Sequence, residues 1–250
     1  MPGMTRPAMA QPGEGALLAL PRQAAFLTAG VVAVTAVMFA LVANHGMLAR
    51  IQQLDDAWLR LMISGRTPAL TAIAKVFNVL GLVYVTLPVR IALAGYLALR
   101  RRWWHLAAFT AAIVLSEALI GSLKGIYDRT RPPGSLVATS GASFPSGHAI
   151  AASVTVIAAV IALVPAGRRR TLWGAAAVMF SILMGLSRAY LGAHWLSDAA
   201  AGILLGTSCA LLTALVAALL QRRQQRGRRP PGTQRPADVA PPDHARPGTS

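Results

Sequence analysis

What limits this chain most is a series of apolar stretches, each close to the length of a membrane crossing. A helix needs about 20 mostly apolar residues to span the hydrocarbon of a bilayer. Such stretches run from Ala25 to Asn44, Gly81 to Leu99, Trp104 to Leu123, His148 to Val164, Leu172 to Tyr190 and Trp195 to Leu220. They predict an all-α fold, a polytopic membrane helical bundle of about six transmembrane helices over residues 25–220. A soluble helical core would interrupt such runs with charge at every turn. Here only 13% of the 250 residues are charged and 55% are hydrophobic, too few polar groups to cover a water-exposed surface.

Charge then orients the bundle. The 24 Lys and Arg against 8 Asp and Glu leave a net charge of +16, which in a soluble chain would point to nucleic acid. The distribution argues against that partner. Arg100, Arg101 and Arg102 lie between the second and third stretches, and Arg168, Arg169 and Arg170 between the fourth and fifth. Arg222, Arg223, Arg226, Arg228 and Arg229 follow the last. With about six crossings these clusters share one face, and basic loops stay cytoplasmic, so both termini are expected inside.

Residues 1–24, with Arg6 and Arg22, read as a flexible cytoplasmic N-terminus, and residues 221–250 as a disordered Arg/Pro-rich tail beside anionic headgroups. Nucleic-acid binding by the tail is the sharper alternative; a solvated, orientation-setting tail accounts for the same residues. The leader before Ala25 is long, with a poor small-residue cleavage pattern, so the first stretch reads as an uncleaved span rather than a signal peptide. Ile51 to Ile63 places Leu54, Trp58, Leu61 and Met62 at helical spacing among Gln52, Asp55, Asp56 and Arg60, which suits a helix on the outer surface. The single cysteine, Cys209, excludes an intrachain disulfide and a cysteine-based metal site. His45 and His105 read as interfacial, and His244 lies in the tail.

The remaining polar groups gather on the opposite face. Lys124 and Arg131-Pro132 follow the third stretch, Pro145-Ser146-Gly147-His148 opens the fourth, Ser187-Arg188 closes the fifth, and His194 and Asp198 open the sixth. Lys124, Arg131 and Arg188 suit the oxygens of a phosphoryl group in transfer. Lys124 and Arg131, seven apart, share a helix face if the helix continues to Pro132. Ser146 and Gly147 stand where free backbone N–H groups and the helix dipole attract an anion. Neutral His194 can attack phosphorus, protonated His148 can donate to a leaving oxygen, and Asp198 can fix the His194 tautomer and stabilise its cation. Any one of these residues alone reads as a helix opening or a headgroup contact. What that leaves unexplained is their convergence on the face poor in charge. Metal binding suits the set poorly, because three cations would oppose it.

Lys124-x6-Arg131-Pro132, then Pro145-Ser146-Gly147-His148, then Ser187-Arg188-x5-His194-x3-Asp198 resemble, in order and spacing, the three motifs of the type 2 phosphatidic acid phosphatase (PAP2) superfamily. The resemblance spans Lys124 to Asp198, and the layout of apolar stretches extends it over most of the chain. It implies a membrane phosphatase in which His194 forms a phosphohistidine supported by Asp198, and His148 protonates the leaving group and then activates water. Lys124, Arg131, Ser146, Gly147 and Arg188 would hold the phosphoryl oxygens. It implies no metal and no cofactor, and a lipid phosphate or diphosphate substrate such as undecaprenyl diphosphate, phosphatidylglycerol phosphate or phosphatidic acid. Some relatives are soluble haloperoxidases, which the apolar stretches argue against. A phosphotransferase using the same histidine, and a transporter or scaffold built on Arg90 and Glu117, are the competing functions. Nothing in the sequence speaks to oligomeric state.

Arg90 and Glu117 fall inside the second and third stretches. Charges at membrane depth are expensive and pair with one another, so a buried Arg90–Glu117 ion pair is expected. A double-mutant cycle on unfolding midpoints of the detergent-solubilised protein checks it: Arg90→Met and Glu117→Gln should couple by about 1 kcal/mol, and additive losses would refute the pair.

Overall fold

A computed structural model describes residues 21–227, and among them every regular element is a helix. The eight helices are α1 (Pro21–Ala43), α2 (His45–Ser64), α3 (Pro68–Leu80), α4 (Val83–Leu99), α5 (Trp103–Tyr127), α6 (Gly147–Leu163), α7 (Arg168–Tyr190) and α8 (Leu196–Gly227). Each apolar stretch of the sequence lies on one of α1, α4, α5, α6, α7 and α8, overrunning the helix by no more than two residues. By length and composition α1, α5, α7 and α8 can each cross a membrane, and α3 with α4 form a fifth candidate bent by 51° at the break between them. The apolar α6 is shorter, with 17 residues. Large apolar side chains such as Phe26, Val37, Ile91, Leu99, Val114 and Leu183 point outward, as a lipid-facing surface requires.

Two elements depart from the sequence reading. The helix α3 was not foreseen: Thr67 caps it by accepting from the Leu70 N–H at 3.2 Å, and Pro68 opens it. With 13 residues, Lys75 and Asn78 among them, the run from Pro68 to Leu80 is too short and too polar to read as a span on its own. The other is the end of α8, which continues to Gly227, into the segment read as tail. Gln and Arg are good helix formers, and Arg226 in the last turn complements the dipole. The rest of the expected tail, the N-terminal segment before Pro21 and His244 lie outside the described residues.

The centre of the bundle is α6. Ala149, Ile150, Ala152, Val154, Ala158 and Ala162 are buried on its several faces, with α5, α7 and α8 packed around it. Its closest partner is α8. A Cβ at Gly202 would stand 2.7 Å from the Ser146 carbonyl oxygen, and one at Gly206 would stand 2.7 Å from the Ile150 carbonyl oxygen and collide with Ser153 Oγ. Glycines four apart thus let the two backbones approach, the small-residue device of helix pairs in lipid.

The expected Arg90–Glu117 pair is present, but only Arg90 is buried: the Glu117 side chain is half exposed on the outside of the bundle. Arg90 donates from Nη1 to Glu117 at 2.8 Å and from Nε to Thr155 Oγ1 at 2.9 Å, tying α4 to α5 and α6. His105, read as interfacial, is buried in the first turn of α5, at the end near Arg102 and Arg170.

Because α6 and α8 meet backbone to backbone at Gly206, Gly206→Leu should lower stability by about 2–3 kcal/mol through overpacking. Unfolding midpoints of the purified variant, against Gly30→Leu, whose position has nothing within 4 Å, test this.

Candidate active site

One end of the bundle gathers the C-termini of α5 and α7, the N-termini of α6 and α8, and the connection between α5 and α6. The helix α5 stops at Tyr127, and Asp128 caps it in the left-handed region at φ 34°. Lys124 and Arg131 therefore do not share a helix face as a continuous helix would require. They converge on the α5–α6 connection instead. Lys124 Nζ and Arg131 Nη2 both donate to the Ala142 carbonyl, at 3.0 and 3.2 Å, while Arg131 also reaches Gly141 and Ser140 carbonyls.

The connection between α7 and α8 carries His194, which is 3% exposed. Its Nδ1 lies 2.7 Å from the Ser143 carbonyl oxygen. A carbonyl only accepts, so Nδ1 carries the proton and Nε2 keeps its lone pair. Arg131 Nη1 sits 3.2 Å from that Nε2 and donates at 2.6 Å to the Ala193 carbonyl. Asp198 does not make the tautomer-fixing bond expected of it, because its Oδ2 is 3.8 Å from Nδ1. It acts one step removed: Oδ2 accepts from Ser143 Oγ at 2.5 Å and from the Trp195 N–H at 3.0 Å, fixing both segments that flank the imidazole.

Arg188 is 3% exposed at the end of α7 and donates from Nη1 to Asn78 Oδ1 of α3. His148, in the first turn of α6, faces Arg188, His194 and Arg131. Ser146 is the N-cap of α6, and its backbone N–H bonds the Asp198 carbonyl at 3.0 Å. Ser146 Oγ, His148 Nε2 and Arg188 Nε are buried without a hydrogen-bond partner. Buried polar atoms left unpaired are costly; these three, with the first-turn amides of α6 beginning at Gly147, suit the oxygens of a bound anion. Among the described residues no three His, Cys, Asp or Glu side chains gather as metal ligands.

Five further residues belong to the site and were not singled out in the sequence. Arg129 donates to Asp198 Oδ1 and to Asp55 Oδ2, both at 2.7 Å. Asp55, read as part of the solvated side of a surface helix, is 2% exposed in α2. Ser143 bridges Asp198 and His194. Asn78 sits on Arg188, and Gly81 lies where a Cβ would strike the His148 ring and approach Met184 Sδ to 3.2 Å. The one available signal was the pair of acids Asp55-Asp56 on the face where cations collect; spacing alone does not say which turns inward.

Residues 103–222 match the PAP2 superfamily. The chain is similar to phosphatidylglycerophosphatase B of Bacillus subtilis (strain 168), with 27% identity over 161 residues, 62% of this chain and 79% of the relative. Its fold resembles the crystal structure of a transmembrane PAP2-type phosphatidylglycerolphosphate phosphatase from Bacillus subtilis, at TM-score 0.66 and 23% identity over 80% of this chain and 98% of that one. Aquifex aeolicus LpxE is similar at TM-score 0.52 and 26% identity over 62% and 91%. The fold class read from the sequence, an all-helical membrane protein of PAP2 type, agrees with these likenesses.

Burial lowers the pKa of His194 to about 4; the Asp198 carboxylate opposes this, and Arg131 and Arg188 add to it. The imidazole is thus neutral at pH 7. Unfolded histidine takes up its proton near pH 6.5, so this site loses stability as pH falls from about 6.5 towards about 4. In 15N spectra of histidine-labelled protein, His194 should keep the Nδ1–H neutral signature below pH 6, and a midpoint near 6.5 would refute it.

Proposed function

We propose that this protein is a multi-pass membrane phosphatase that hydrolyses a lipid phosphomonoester or diphosphate at the extracytoplasmic face through a phosphohistidine. The observation that carries the reading is the His194 imidazole, held neutral with its proton on Nδ1 by the Ser143 carbonyl, its Nε2 turned to a cluster of cations. In the first step the Nε2 lone pair bonds phosphorus as the bond to the leaving oxygen breaks, and His148 gives that oxygen a proton. In the second, His148 takes a proton from water, whose oxygen bonds phosphorus as the P–N bond breaks and inorganic phosphate leaves. Substrate displaces Arg131 from Nε2, and Lys124, Arg131, Arg188, Ser146 and the Gly147 amide take the phosphoryl oxygens. These cations supply the charge that a metal would otherwise provide, so the reaction is read as metal-independent and cofactor-free.

The arginine clusters at the opposite end of the bundle support the extracytoplasmic assignment and cytoplasmic termini. Six crossings follow if α1, the bent α3–α4 pair, α5, α6, α7 and α8 each span, with α2 on the outer surface. Names of relatives make phosphatidylglycerol phosphate the first substrate to assay.

His194→Ala should reduce phosphate release from phosphatidylglycerol phosphate in mixed micelles by about a thousandfold or more, with the unfolding midpoint retained. Retained turnover would refute the nucleophile. Wild-type activity should be unchanged in excess chelator, and strict dependence on a divalent ion would overturn the metal-free reading.

A further inference from the structure

We propose that Asp55 of α2 is a positioning residue for the nucleophilic histidine: by binding Arg129 it keeps the Asp198 charge uncancelled beside His194. The inference rests on the reading of His194 as nucleophile.

The Asp55 carboxylate bonds the start of α8 and Arg129. Its Oδ1 accepts from the Ser197 N–H at 2.9 Å, and its Oδ2 from Ser197 Oγ at 2.5 Å and Arg129 Nη2 at 2.7 Å. Arg129 Nη2 also donates to Gln52 Oε1 of α2, and Nη1 to Ser197 Oγ and Asp198 Oδ1, all at 2.7 Å. The Arg129 guanidinium lies over the Trp195 ring, 5.6 Å from its centroid. Asp55, Arg129 and Asp198 have side-chain exposures of 2%, 6% and 0%, so their charges interact with little screening by water.

Two carboxylates and one guanidinium carry a net charge of −1. Without Asp55 the remainder would be a neutral Arg129–Asp198 pair. The difference falls on the imidazole. When Nε2 bonds phosphorus, the ring keeps its Nδ1 proton on the Ser143 carbonyl and becomes cationic. The other charged or titratable groups facing it are Arg131 of the connection, His148 of α6 and Arg188 of α7, all cations or potential cations, with Lys124 of α5 behind them beside Arg131 and Asp198. Asp198, on α8, is the carboxylate among them, and Asp55 keeps its charge from being consumed by Arg129.

Full-length protein in detergent, assayed with phosphatidylglycerol phosphate, tests this with Asp55→Asn, Asp55→Asn/Arg129→Gln and His194→Ala. Asp55→Asn removes the charge at nearly constant shape. It should lower kcat by about tenfold or more with KM within about twofold, and should lower the 15N titration midpoint of His194. The double variant returns the net charge to −1 and should recover part of kcat relative to Asp55→Asn. An Asp55→Asn kcat within twofold of wild type overturns the proposal. So does a folded double variant no faster than Asp55→Asn, which would make Asp55 a structural clasp only. If the unfolding midpoint shows that the double variant has not folded, the His194 midpoint in Asp55→Asn decides, and an unchanged value overturns the proposal. Activity in His194→Ala would sink the phosphohistidine reading, whereas a dead His194→Ala beside a normal Asp55→Asn sinks this inference alone.

Discussion

In lipid, helices gain nothing from hiding apolar side chains from water, because the tails around them are equally apolar. Helix contact must come from fit, and here the tightest fit is α6 against α8. Gly202 and Gly206 remove the side chains that would hold the two backbones apart at Ser146 and Ile150. That contact brings the first turn of α6, with Ser146 and His148, beside the first turn of α8 and Asp198; the Ser146 N–H bond to the Asp198 carbonyl is its outermost expression. The α5–α6 connection then has two fixed ends, and Arg131 and Ser143 are held between them, against His194 of the α7–α8 connection.

The second organising element is the arrangement of unlike charges within a basic protein. Among the described residues the acids are Asp55, Asp56, Glu117, Asp128 and Asp198. Two of these flank the single guanidinium of Arg129 at the site, and one, half exposed, pairs with the buried Arg90. Lys124 and Arg131 are held instead on backbone carbonyls, and Arg188 on the Asn78 amide oxygen. Neutral acceptors hold a guanidinium or ammonium in place without cancelling its charge, which leaves it available to an anion.

Much of this was legible beforehand because the signals were local. Runs of apolar residues give away α1, α4, α5, α6, α7 and α8, and the motif residues from Lys124 to Asp198 carry their chemistry in their types. Even the Arg90–Glu117 pair followed from the cost of charge in an apolar helix. What stayed hidden depends on which way a residue turns in three dimensions. Asp55 and Asp56 are identical neighbours, yet only Asp55 faces Arg129. Ser143 acts through a backbone carbonyl, which no side-chain pattern reports, and it takes the tautomer-fixing bond that Asp198 was expected to make. Asn78 and Gly81 lie on a helix and a break too short to register as a span.

The Arg90–Glu117 pair also bears on how the chain is made. A lone arginine at the centre of an apolar helix raises the free energy of membrane insertion by about 2.5–3.5 kcal/mol. Its carboxylate partner lies on the next helix, and α4 and α5 are joined by a turn of only Arg100 to Arg102. Glu117 therefore follows Arg90 by only 27 residues, so the charge and its counter-charge are made close together in synthesis. Thr155 and the Ala151 carbonyl, on α6, complete the arginine's shell only afterwards. A contact that stabilises the finished bundle thus also gives its second and third apolar stretches a reason to be neighbours in synthesis.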